Sequence, residues 1–572
     1  MKPWAAVLLA AAAALATAPR TTTIRQELGV RIEMRDGIAL SANVFLPPAE
    51  EPVPAILVRT AYGKGSALSP GYRAFVEHGY AVVVEDVRGR YESEGVFDPL
   101  EQEVADGEDT LAWIAGQEWS NRRVGMIGGS YLGIVQWKAA LSASPYLKAI
   151  FPAVAGSDDY LDRFYSPGGA MKLAHRLEWM SENLRAPKQK PEFLRFIKHL
   201  PLRTADRAAT GHTIGFFQRA LDHPAYDAYW KSISTRQHIG RVRVPVFVAS
   251  GWYDNFVESD LEAFRMLRER GRPARIVVGP WPHNFSQRFE RVDFGPGSRV
   301  GLRKLQFEWF DHWLKKPGVH EEPMPGPPVR IFVMGANRWR DEDEWPLKRA
   351  EPVSFYLGGH GRANTAAGDG RLARHAPRHD AFDEFVYDPR DPVPTAGGAV
   401  CCNPKLIPWG PLDQRPIEKR RDVLVYTSGP LEEPVEVTGR VQAVLYVSTS
   451  APDTDFTAKL VDVFPDGEAR NLTDGILRLR YRQSIERPSK SKPGEIYEIE
   501  IDSGVTSNEF ARGHRIRVEI SSSNFPRFDR NPNTGRRVAD ERELRRATQR
   551  VYHDRLRPSR IVLPIVRSQP LG

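Results

Sequence analysis

The sequence predicts an α/β protein with a helical insertion and a C-terminal all-β domain. Three observations predict it. Apolar, β-branched runs alternate with helical stretches up to residue 156 and again over 243–350. Residues 157–242 carry helical periodicity and many aromatics, with no strand candidate. From about residue 351 the pattern becomes short alternating runs between turn signals, which predicts a β-sandwich of jelly-roll type. The expected divisions are 1–18, 19–156, 157–242, 243–350 and 351–572.

Residues 1–18 stand apart. Lys2, an apolar run and Ala16-Thr17-Ala18 read as a secretory signal peptide. The run is short for a membrane span, which needs about 20 apolar residues. The expected location is therefore periplasmic or extracellular, with no membrane contact after cleavage. The rest of the chain, 572 residues with 41% hydrophobic and 27% charged, has the composition of a globular protein.

The strands follow in order. "VPAILVRT" (53–60), "YAVVVEDVRG" (80–89), "VGMIGG" (124–129) and "LKAIFPAVAG" (147–156) are of buried-strand length. A helix is expected over 103–117. After the insertion come "VPVFVASGW" (244–252) and "ARIVVGPW" (274–281), with a helix near 302–315. In an open parallel sheet, functional groups gather at the carboxyl ends of the strands. Those ends carry Ser130, Asp254 and His283.

Ser130 sits among Gly128, Gly129 and Gly133, between a strand and a helix, the layout of a nucleophile elbow. Nucleophile, acid and histidine occur in the chain order this topology uses. A serine hydroxyl needs a base to take its proton, and imidazole titrates near neutral pH. Asp254 would orient that imidazole and stabilise its charged form. The oxyanion needs donors. The backbone N–H of Tyr131 is one candidate. The loop "RTAYGKG" (59–65) offers the Tyr62 hydroxyl as the second.

With "DVRGRYESEG", "GGSYLG", "GWYDNF", "GPWPH", "DPVPTAGG" and "SSSNFPRFDRNPNTG", the chain resembles the cocaine-esterase-like branch of the α/β-hydrolases. That branch is related to X-Pro dipeptidyl peptidases and α-amino-acid ester hydrolases. The resemblance implies Ser130 as nucleophile, Asp254 as acid, His283 as base and Tyr62 as hydroxyl donor of the oxyanion hole. It also implies a helical cap over the site and a C-terminal jelly roll. The ester hydrolases of α-amino acids hold the substrate ammonium with carboxylates. Two of those positions are Phe256 and Val257 here, and the third corresponds to Asp158. Without the pair, a cation loses most of its charge-assisted partners. Phe256 and Phe164 match pocket aromatics of the cocaine-esterase-like branch.

The expected function is an exported serine hydrolase acting on small-molecule carboxylic esters with apolar or aromatic acyl groups, through an acyl-enzyme. Two alternatives use the same sequence. One is amide cleavage, as in an X-Pro dipeptidyl peptidase or β-lactam acylase. The other is a glycan- or cell-wall-binding protein with a vestigial triad. No cofactor is expected, and the sequence is compatible with a homo-oligomer. No His-Glu-x-x-His occurs, and the two cysteines, Cys401 and Cys402, are adjacent, so no metal site is expected. They are expected as two thiols in a loop. The net charge of +8, from 80 Lys+Arg against 72 Asp+Glu, is modest for this length. Its densest part, residues 536–560, has helical spacing with interspersed acids, so a solvated helix and not a nucleic-acid patch is expected.

Overall fold

The computed structural model describes residues 23–315, 324–378, 381–401 and 403–567. The expected signal peptide and Cys402 lie outside the described residues. The first domain is built on β1 (Arg25–Glu33), β2 (Ala39–Leu46), β3 (Val53–Thr60), β4 (Ala81–Asp86) and β5 (Ser120–Gly129). The sheet continues with β6 (Leu147–Ala153), β7 (Val246–Gly251), β8 (Ala274–Gly279), β9 (Val329–Val333) and β10 (Arg338–Glu342). Their order is β1-β2-β4-β3-β5-β6-β7-β8-β9-β10. From β4 to β9 every neighbouring pair is parallel. Both edges are closed by antiparallel strands.

The central strands are runs of Val, Ile and Ala buried on both faces, as parallel strands covered by helices must be. Helices α1 (Pro70–Glu77), α2 (Glu103–Ala115) and α3 (Tyr131–Leu141) belong to the first half. The insertion between β6 and β7 opens with a π-helical turn, Asp159–Phe164. It continues through α4 (Leu173–Asn183), α5 (Phe193–Ile197), α6 (Ala205–Thr210), α7 (Gly215–Asp222) and α8 (Ala228–Ile233). It holds no strand among the described residues. Helices α9 (Val257–Glu269) and α10 (Leu302–Phe310) complete the set. Leu111, Trp137 and Phe264 bring α2, α3 and α9 onto one face of the sheet. Phe75 and Trp309 bring α1 and α10 onto the other.

The second domain is all-β. Its eleven-stranded network runs from Ala350–Gly358 to Arg560–Val566 and is antiparallel apart from one short parallel contact. Val441, Ala443, Leu445 and Val447 point into its core together with Ile516, Val518 and Ile520. This matches the two-residue period of those segments.

Two expectations are corrected. Residues 536–560 do not form a helix: Ala547–Tyr552 is a strand between Phe382–Tyr387 and Val435–Thr449. The interspersed charges imitate helical spacing. Burial of Ala547, Gln549 and Val551, with Arg550 exposed and paired to Glu384 at 2.7 Å, follows the sheet period. Cys401 is buried and disulfide-bonded, not a free thiol.

Candidate active site

Ser130 stands between β5 and α3 with φ 56° and ψ −126°. A non-glycine residue in this region is strained, and such strain persists only where surrounding contacts impose it. Its N–H donates to the Ala153 carbonyl at 2.9 Å, tying the turn to β6. The neighbouring glycines are steric necessities. A Cβ on Gly128, whose φ is +138°, would lie 2.4 Å from Leu132 Cβ, and one on Gly133 would lie 2.5 Å from Ala155 Cβ. The serine is thereby presented at the first turn of α3, whose leading N–H groups have no intrahelical partners and carry the positive end of the helix dipole.

Asp254 and His283 leave the same rim, after β7 and β8. His283 Nδ1 lies 2.6 Å from Asp254 Oδ2. Asp254 is fully buried, and its other oxygen accepts from the Phe256 N–H at 2.9 Å. Its carboxylate is therefore fixed by two hydrogen bonds. The His283 side chain is 14% exposed, so one end of the ring is free to meet a ligand. An imidazole held this way by a carboxylate keeps Nε2 as the proton-accepting nitrogen.

Tyr62 follows β3 in a tight turn in which its N–H donates to Thr60 Oγ1 at 3.0 Å. Its hydroxyl accepts from Trp179 Nε1 at 3.1 Å, and its ring stands edge-on to Tyr131 at 6.3 Å. Beneath it, the Tyr131 hydroxyl donates to Glu103 Oε1 at 2.6 Å. Glu103 Oε2 accepts from Arg59 Nη1 at 2.6 Å, and Arg59 Nε donates to Glu85 at 2.6 Å. This buried chain ties the ends of β3 and β4 to α2 and α3. Sequence reasoning missed Trp179, Glu103, Arg59 and Glu85. Their types and spacing resemble ordinary helix and strand residues, and only the crossing of the chain brings them together.

Phe256 packs its ring 5.7 Å from that of His283. Phe164 is fully buried in the insertion, 5.3 Å from Trp230. Asp158 is consumed by local structure. Its carboxylate caps the π-helical turn through Leu161 N at 2.9 Å and accepts from Tyr226 Oη at 2.5 Å and Ser234 Oγ at 2.6 Å. On α4, His175 and Arg176 are both buried. Burial, and then the neighbouring Arg176 charge, push the His175 imidazole well below its usual range. Burial, reinforced by the Arg163 charge, pushes Arg176 down to about 9. "LAHRLEW" gives no sign of this, because His and Arg between leucines read as the solvent side of an amphipathic helix.

Residues 36–284 match the family model of the X-Pro dipeptidyl-peptidase (S15 family), and residues 324–562 match that of the X-Pro dipeptidyl-peptidase C-terminal non-catalytic domain. Cocaine esterase of Rhodococcus sp. (strain MB1 Bresler) is 42% identical over 569 residues, covering 94% of this chain and 98% of that one. The chain belongs to the cocaine-esterase-like family of serine hydrolases. It is a serine ester hydrolase, with the α/β-hydrolase and C-terminal β-sandwich architecture of that family. Two solved structures support the fold over the whole family unit. An aminopeptidase from a marine sediment Thaumarchaeota archaeon superposes with TM-score 0.83 at 26% identity, covering 98% of this chain and 99% of that one. An α-amino acid ester hydrolase gives TM-score 0.81 at 27% identity, covering 96% and 98%.

Proposed function

We propose that this esterase acts through Ser130, His283 and Asp254, forming and hydrolysing an acyl-enzyme on Ser130. The observation that carries the reading is the 2.6 Å contact between His283 Nδ1 and buried Asp254, on the rim where Ser130 is held at φ 56°. His283 Nε2 takes the Ser130 proton as Oγ attacks the ester carbonyl. Asp254 stabilises the imidazolium, which then protonates the leaving alkoxide. The Tyr131 N–H and the Tyr62 hydroxyl receive the oxyanion. In the second half, water replaces the alcohol and His283 is again the base.

Phe256 and Phe164 favour a compact apolar or aromatic acyl group. The engagement of Asp158 by Tyr226, Ser234 and Leu161 leaves no free carboxylate at that position for a substrate ammonium. This supports esters over peptides with a free N-terminus. The N-terminal Lys2, apolar run and Ala16-Thr17-Ala18 support export.

The test is a paired turnover assay with Ser130→Ala as control. A benzoyl or p-nitrophenyl ester is expected to be hydrolysed and Ala-Pro-p-nitroanilide is not. Ser130-dependent anilide turnover would replace this reading with the peptidase one.

A further inference from the structure

The cap holds a buried guanidinium that joins no ion pair among the described residues. Arg176 is 3% exposed. Its Cζ lies 5.0 Å from the Phe164 ring centroid and 5.1 Å from that of Trp179. Among the described residues its guanidinium makes one long contact, Nη2 to His175 Nε2 at 3.4 Å, and its buried Nε has no partner. It joins no ion pair there. The nearby carboxylate of Asp159 is already engaged by Lys138 and Arg163. Two aromatic faces offset part of the cost of burying this cation by cation–π attraction. They do not replace the hydrogen bonds its donors have lost, and an unpaired buried charge is expensive.

Its place in the site is defined by its neighbours. Trp179, on which it stacks, donates to the Tyr62 hydroxyl at 3.1 Å. His175, beside it on α4, meets Phe256 edge-to-face at 5.7 Å, and Phe256 touches His283. The guanidinium is thus one ring removed from the Tyr62 hydroxyl, through Trp179, and two rings removed from His283, through His175 and Phe256.

We propose that Arg176 anchors a carboxylate borne on the acyl part of the substrate, so that the preferred ester is a monoester of a dicarboxylic acid. This rests on the assignment of Phe164 and Phe256 to the acyl side. A planar five-donor fork matches a carboxylate in two-point fashion, and a bound anion would satisfy the donors that the protein leaves empty. Aromatic walls around one cation suit an acid whose chain is apolar and whose far end is charged.

The matched probes are the p-nitrophenyl monoester of glutarate and p-nitrophenyl hexanoate, compared as a ratio of kcat/KM. Wild type is expected to favour the glutarate ester by about ten-fold or more, and Arg176→Met to lower that ratio by about 10²-fold. Arg176→Lys is expected to recover part of it. A wild-type preference for hexanoate, or a ratio unchanged in Arg176→Met, would overturn the proposal.

Binding separates this proposal from the catalytic reading. Free glutarate, titrated calorimetrically into Ser130→Ala protein, is expected to bind, and to bind at least about ten-fold more weakly when Arg176→Met is added. Such binding with no wild-type turnover of either ester would uphold the anion site and refute the esterase mechanism. Absence of binding would refute the site. Arg176→Met is also expected to melt above wild type, because it removes an unpaired buried charge. A lower melting temperature would mean that the protein already compensates the buried charge of Arg176, and would overturn the proposal.

Discussion

The indole of Trp179 donates to the hydroxyl of Tyr62 at 3.1 Å, across 117 positions of chain. An indole N–H can only donate, so the phenol oxygen must accept here, and the phenol's own proton stays available for another acceptor. Accepting one hydrogen bond also polarises the O–H for giving another. The cap thereby orients the Tyr62 hydroxyl, the proposed oxyanion donor, which belongs to the core.

Removing that donor is expected to slow the chemical step. Tyr62→Phe should lower kcat by about 10²-fold or more with little change in KM. Trp179→Phe keeps an aromatic face but loses the orienting hydrogen bond and part of the indole's packing, so a fall of about 2–10-fold in kcat is expected. Steady-state kinetics of both variants on one ester check this. A silent Tyr62→Phe would remove Tyr62 from the oxyanion hole.

The Arg59 chain sets a stability prediction. Arg59, Glu85 and Glu103 are essentially inaccessible, and Arg59 pairs with each carboxylate at 2.6 Å. Arg59→Met would strand both acids in the core beneath Tyr131. A loss of about 3–5 kcal/mol is expected, read by denaturant unfolding. A change below about 0.5 kcal/mol would mean that the acids find water or other partners.

A third prediction concerns pH. Burial pushes the Asp162 carboxyl up to about 7, against the opposing pull of the Lys172 ammonium. A raised acid binds its proton more tightly in the native state. Its stabilising contribution is complete below the ordinary carboxylate range, near pH 4, and is lost as pH rises through about 7. The melting temperature of wild type relative to Asp162→Asn should therefore fall between about pH 5 and pH 8. A difference that is flat or rises over this range would contradict the shift.

The central sheet and the triad candidates were legible because each leaves a local mark. Buried parallel strands are continuous β-branched runs, and their carboxyl ends place Ser130, Asp254 and His283 on one rim. The two-residue period of Val441 to Val447 and of Ile516 to Ile520 marked the β-domain equally well. Ala547–Tyr552 was read as helix because the interspersed arginines and acids of 536–560 imitate helical spacing and hide the two-residue period of Ala547, Gln549 and Val551. Pairing partners some 100 or more residues away decide that segment. Arg176, Trp179 and Glu103 were illegible for the same reason. A charge or indole on a helix predicts solvent or core, and only the packing of the cap on the core brings Arg176 against Trp179, Trp179 against Tyr62 and Tyr131, and Glu103 against Tyr131.

The most direct measurement is covalent labelling with a fluorophosphonate, mapped by peptide mass spectrometry while ester turnover is followed. The expected result is one adduct per chain, on Ser130, with activity lost in proportion to labelling. Full turnover with Ser130 unlabelled, or stoichiometric labelling of another serine as activity disappears, would contradict Ser130 as the nucleophile.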